Sequence, residues 1–228
     1  FYDSPPLRKP AGRPLHSGFG PGYLLVAEEI MLNVSLFHLL NGKRPTHRSH
    51  EGKTMHLFER PCIAGWIYPC SLEDISYGLS RLPQQDVGGL WAVGLVPSSR
   101  MKCRLYGSFI YGSYFIEEKP TIHVYSYPDT LRLKLPRRTK QGHIERRFAI
   151  ELEYGMRVER ERSRFVGLWS AEDARRFTVE IVLLHEVGHH ILCRQRRQRG
   201  YVIRSGTIAW EEQFADAYAL RYRRQLHE

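Results

Sequence analysis

The sequence predicts an α+β fold: a mostly antiparallel sheet packed on a buried helix that carries His185-Glu186-Val187-Gly188-His189, with a second, glutamate-bearing helix beside it. Three observations predict it. Residues 90 to 158 hold short apolar runs and period-two alternation, the pattern of strands. Ser170-Ala171-Glu172-Asp173 reads as an N-cap with an acidic first turn. The apolar residues from Phe177 to Leu192 then surround the helix axis instead of forming one stripe, which marks a buried helix. Finally, Glu212 and Asp216 lie one helical turn apart in the segment Trp210 to Tyr218, on one face of a further helix.

Taken in chain order, residues 1 to 22 contain five prolines and four glycines and are expected to be extended or poorly ordered. Residues 23 to 228 are expected to form one domain, with helix and strands over 23 to 169 and the two motif-bearing helices over 170 to 228. A helix is expected from Tyr23 to Leu40, stopped by Asn41-Gly42. Glu28, Glu29, Asn33 and His38 interrupt its apolar run, so it is not a membrane span. His47 to Gly52 reads as a polar loop, and His47, His50 and His56 as solvent residues. Ser71 to Leu82 has the cap and periodicity of a short helix, ended by Pro83. Strands are expected at Leu90 to Val96 and Leu105 to Ile116, then at Thr121 to Tyr127 paired with Thr130 to Leu135 across a Pro128-Asp129 turn. The alternation Phe148, Ile150, Leu152, Tyr154, Met156, Val158 predicts a strand with one buried face. The segment 121 to 135 is the expected sheet edge for strand addition by a peptide.

Chemistry concentrates in the last quarter of the chain. Four residues at about 100° each bring His185 and His189 to the same side of a helix, where they can share one tetrahedral ion. Glu186 lies about a quarter turn away, placed to take a proton from a water beside that ion. Burying these three polar groups costs free energy unless they are paired or bound to a cation. Glu212 can complete a His-His-Glu set, and Asp216 can accept a hydrogen bond from a ligand histidine. Glu211 competes with Glu212 for the third position, with only the spacing to Asp216 favouring the latter.

These residues resemble the gluzincin metallopeptidases, whose HExxH helix is followed by a glutamate helix of the form E-x-x-A-D, as in Glu212-Gln213-Phe214-Ala215-Asp216. The likeness spans about residues 170 to 222 and is greatest to the compact ImmA/IrrE-type branch. It implies a zincin-like fold, one Zn2+ per chain on His185, His189 and Glu212, Glu186 as general base, and Asp216 as the partner of a ligand. The implied activity is zinc-dependent endopeptidase action on a protein or peptide. Gluzincins often take an oxyanion donor from beyond the glutamate helix; here Tyr201, Tyr218, Tyr222 and His123 are the substitutes. The metzincin pattern is absent, because Cys193 and Arg194 follow Leu192 where a glycine and a later histidine are required. Gly206-Thr207 is similar to the aspzincin GTxxD pattern, but Trp210 stands at the aspartate position.

Composition frames the alternative. The net charge is +10 with a pI near 9.6, and 27 of the 34 basic residues are arginine, which favours polyanions and carboxylates. The clusters Pro136 to Lys140 and Arg194 to Arg199 are candidate contacts for nucleic acid, so the second reading is a DNA- or RNA-associated regulatory protein with a structural or sensory zinc. A repressor-cleaving protease would combine the two. Cys62, Cys70, Cys103 and Cys193 form no CxxC pair, which excludes a zinc ribbon and a dense disulfide scaffold. Cys193 reads as a small buried hydrophobe. Starting at Phe1, the sequence is expected to lie inside a longer product; a cytoplasmic setting is expected, with secretion as the alternative. Oligomeric state is not legible.

Overall fold

Two sheets and a long, nearly continuous helix organise the computed structural model, which describes residues 46–50, 53–98, 110–115, 119–135, 140–199 and 209–226. The expected extended segment 1 to 22 and the helix at 23 to 40 lie outside these residues. The larger sheet contains β1 (Thr46–His50), β2 (Lys53–Glu59), β4 (Ala92–Val96), β5 (Gly112–Phe115) and β6 (Thr121–Tyr125), in the order β1-β2-β4-β6-β5. Its centre is parallel, β4 pairing parallel with both β2 and β6, while β1 and β5 are antiparallel margins. The sheet is therefore mixed, where the sequence had suggested a mostly antiparallel one. All five residues of β4 are buried, so both faces are covered, the environment in which parallel strands occur. The crossover from β2 to β4 runs through α1 (Leu72–Ser80) and α2 (Gln84–Val87). Ser71 caps α1 in a capping box with Asp74, as its sequence predicted.

A smaller antiparallel sheet has the order β8 (Arg132–Lys134), β10 (Arg164–Leu168), β9 (Arg157–Glu161), and a two-stranded ladder joins β3 (Trp66–Ile67) to β7 (Tyr127–Pro128). Three expectations change here. Thr46–His50 is a strand in a hairpin with β2, not a loop; its residues are polar, so no hydrophobic alternation announces it. The turn after Pro128 forms, with Leu131 N–H donating to the Pro128 carbonyl at 2.8 Å and Leu131 at φ 53°, but the chain then leaves the first sheet and β8 pairs with β10. The strand expected over 148 to 158 is helical over α4 (Ala149–Glu153), which follows α3 (Gln141–Arg147), and becomes strand only at Arg157, where β9 begins. Ile144, Phe148 and Leu152 are spaced by four, and Phe148 and Leu152 donate to the carbonyls four residues back at 2.9 Å, so the helical period wins over the period of two.

The helix predicted from Ser170 is present. Ser170 accepts from the Asp173 amide, α5 (Ala171–Phe177) follows, a π-helical stretch spans Thr178–Leu183, and α6 (Leu184–Gln198) carries the HExxH residues. Beyond it, α7 (Ala209–Tyr222) packs along α6 and ends in a short 3₁₀ turn, Arg223–Leu226. One core fills the space between the larger sheet and these helices, with Ile75, Val93, Ile122, Leu183, Leu184 and Val187 at its centre. A second, built on Tyr127, Leu133, Met156, Trp169 and Phe177, holds the smaller sheet against the start of the long helix. Among the described residues no helix is long and apolar enough to cross a membrane.

Candidate metal centre

The helical spacing in α6 and α7 does for the site what it promised. His185 Nε2 and His189 Nε2 are 3.0 Å apart, and Glu212 reaches them with Oε2 at 3.3 Å and Oε1 at 3.5 Å, respectively. Ligand bonds of 2.0–2.1 Å at tetrahedral angles put neighbouring donor atoms about 3.3 Å apart, so the imidazole pair, and the approach of a different Glu212 oxygen to each imidazole, are near the spacing of a metal site. Among the described residues, this is the group of three or more such side chains able to hold a metal ion. The three side chains are 13 to 22 % exposed, which leaves the site reachable from solvent on one side. Asp216, one turn beyond Glu212, accepts from His185 Nδ1 at 2.9 Å. That bond makes Nδ1 a protonated nitrogen, so that loss of the second proton would leave the Nε2 lone pair for a metal ion.

Without a metal the two imidazoles share one positive charge, carried by His185. Burial opposes the charge on His185, but hydrogen bonds to Asp216 and Glu212 and the nearby Glu186 charge outweigh it and lift its pKa to about 10. Burial and the charge of His185 push His189 down to about 4. For Glu212 burial favours the neutral acid, yet the hydrogen bond from His185 prevails and its pKa is lowered. A pocket that gathers one positive charge between two imidazoles and two carboxylates suits a cation.

Glu186 is buried, with its carboxylate against β5. A Cβ placed on Gly112 would lie 2.9 Å from Glu186 Oε1, so the strand approaches the carboxylate closely because position 112 has no side chain. Burial pushes Glu186 up to about 7; His185 beside it acts in the opposite sense, and Glu212 adds to the rise. The sequence had assigned the neighbouring wall to residues 121 to 135. Instead β6 is interior, paired on both sides, and β5 is the margin beside Glu186 among the described residues.

Glu211, the rival third ligand, turns to the other side of α7, where it is buried and ion-paired with Arg196 Nη1 at 2.5 Å. Glu212 is therefore the residue brought to the histidines. The oxyanion candidates do not converge on the site. Tyr218 donates its hydroxyl to Asp86 at 2.9 Å and stacks on Tyr222, while His123 lies among Phe58, Phe115 and Tyr125 on the far face of the sheet. Tyr201 lies outside the described residues, as do Arg137 and Arg138 of the first basic cluster. In the second cluster, Arg194 donates to the carbonyls of Gln85 and Gly88, and Arg196 pairs with Glu211 and lies over the Trp210 ring, so part of that charge is spent on internal contacts.

Two residues passed over in the sequence belong to the surroundings of the site. His190, fully buried, donates from Nε2 to the Gly88 carbonyl at 3.1 Å, and its Nδ1 accepts from the Tyr114 hydroxyl of β5 at 3.2 Å. A carbonyl can only accept, which sets the tautomer, and burial lowers the pKa of this imidazole so that it stays neutral. The available signal was the adjacency of His190 to the motif, on the same helical side as Glu186. No family model, curated protein or solved structure matches this chain.

Proposed function

We propose that the protein is a zinc-dependent endopeptidase of the gluzincin kind. The observation that carries this reading is the His185, His189 and Glu212 triangle, with donor atoms 3.0 to 3.5 Å apart and Asp216 orienting His185. The donor set, two imidazoles and one carboxylate with a solvent-facing side, is that of catalytic rather than structural zinc. A zinc ion bound there supplies Lewis acidity and lowers the pKa of water beside it. Glu186, buried and with its pKa raised toward neutrality, is suited to take that water's proton and return it to the leaving amine. A mixed sheet whose margin among the described residues, β5, runs beside the base gives an extended peptide a backbone to pair with, which supports a zincin-like arrangement and a peptide substrate.

The test compares wild type with Glu186→Gln for zinc content and for cleavage of a panel of denatured proteins. The expected result is one zinc per chain in both, and loss of cleavage by at least about 100-fold in the variant, the contribution typical of a general base. A wild-type protein that takes up no zinc would overturn the reading. Equal cleavage by both proteins would remove Glu186 from the mechanism.

A further inference from the structure

We propose that Tyr114 is a positioning residue, holding β5 in a fixed register along the active-site helix so that a peptide paired to this strand meets Glu186 at a set distance. The inference rests on the peptidase reading above. Gly112 and Tyr114, two apart on a strand, point to the same face about 6.7 Å from each other. Glu186 and His190, four apart on a helix, share a side with a rise of about 6 Å. The two repeats match, and the contacts fall in register: Gly112 against Glu186, and the Tyr114 hydroxyl on His190 Nδ1 at 3.2 Å with the rings edge to face.

The anchor is itself anchored. His190 Nε2 donates to the Gly88 carbonyl, which also accepts from Arg194 one turn further along α6 at 2.8 Å. Cys193 also lies within hydrogen-bonding reach of the Tyr114 hydroxyl. The intervening residues face the opposite side of the sheet, Ser113 on the Tyr125 hydroxyl at 2.7 Å and Phe115 on the His123 ring. Among the described residues the ladder to β6 and the Tyr114 hydroxyl hold β5, so a substrate arriving at an unlatched strand must first order it. That cost falls equally on bound substrate and transition state, and so appears in KM rather than kcat.

Tyr114→Phe keeps the ring and deletes the hydroxyl; Ser113→Ala deletes a hydroxyl of the same strand on the other face. Both are measured on a fluorogenic peptide built around a bond that the wild type cleaves, with hydrogen exchange of the β5 amides followed in parallel. Tyr114→Phe is expected to raise KM roughly 3- to 10-fold, the equivalent of one hydrogen bond, with kcat within about 2-fold, zinc affinity unchanged and faster exchange over residues 112 to 115. Ser113→Ala is expected to leave KM within about 2-fold. An unchanged KM in Tyr114→Phe, or an equal rise in Ser113→Ala, would overturn the positioning role. If the wild type cleaves nothing, the peptidase reading fails by itself. Exchange then still decides the latch, since unaltered exchange in Tyr114→Phe removes it.

Discussion

Glu211 and Glu212 are neighbours with opposite environments, because one step along a helix turns a side chain by about 100°. Glu212 faces two imidazoles; Glu211 faces Arg196 beneath the ring of Trp210. Substituting each separately by Gln therefore has separable outcomes. Glu212→Gln is expected to weaken zinc by about 10-fold or more while the fold persists, measured by competition with a chromophoric chelator. Glu211→Gln is expected to retain zinc and to lose about 1–3 kcal/mol of stability, since it leaves the Arg196 guanidinium without its buried partner. The reverse pattern would exchange the two assignments. The grouping of His185, His189 and Glu212 was legible because donors on helices are placed by local spacing, His185 to His189 and Glu212 to Asp216. The oxyanion candidates were not. Whether Tyr218 faces the ion or Asp86 depends on where α2 packs, and no spacing within one helix carries that.

Why the second motif holds an alanine before its aspartate is answered by the contact between α6 and α7. A Cβ on Gly188 would come within 2.8 Å of the Ala215 Cα, and Ala215 has no exposed surface. The two helices approach this closely only because both residues are small, and that approach brings Glu212 within reach of His185 and His189. Gly188→Ala is expected to force α7 outward, costing about 1–3 kcal/mol in overpacking less the small gain in helix propensity. Thermal unfolding would show the loss, and weakened zinc in the same variant would tie it to the site; a variant with wild-type zinc affinity would show that α7 does not set the geometry. Elements with a strong local signature, the capped helices at Ser71 and Ser170 and the apolar β4, were readable from the sequence. Thr46–His50 and the β8 pairing were not, because a polar margin strand carries no hydrophobic period and partner choice is settled by the chain on either side. Over 148 to 153, Phe148 and Leu152 satisfied both a period of two and a spacing of four, and packing of Ile144 and Phe148 into the second core selected the helix.

Across the whole molecule, the proposed metal links two helices that come from different stretches of the chain and are joined by residues 200 to 208. A ligand that binds only the folded state stabilises it by mass action, about 4 kcal/mol at a thousandfold excess over Kd. For a chain of this size each kcal/mol moves Tm by roughly 2–4 °C, so saturating zinc is expected to raise Tm by roughly 8–16 °C over chelator-treated protein. pH should modulate this gap in a defined direction. In the metal-free state His185 has a pKa raised to about 10 from 6.5, so its proton contributes stability that is complete below pH 6.5, declines above it, and is lost once pH passes 10. Zinc must displace that same proton, and its affinity rises as the proton leaves. These are two sides of one proton linkage, and through it the difference widens as pH increases from 7 to 9. Differential scanning calorimetry with and without zinc over this range tests it. A gap that narrows with rising pH would mean that His185 is not the protonated member of the pair, whereas a Tm indifferent to zinc at every pH would mean that no metal binds at the three donors.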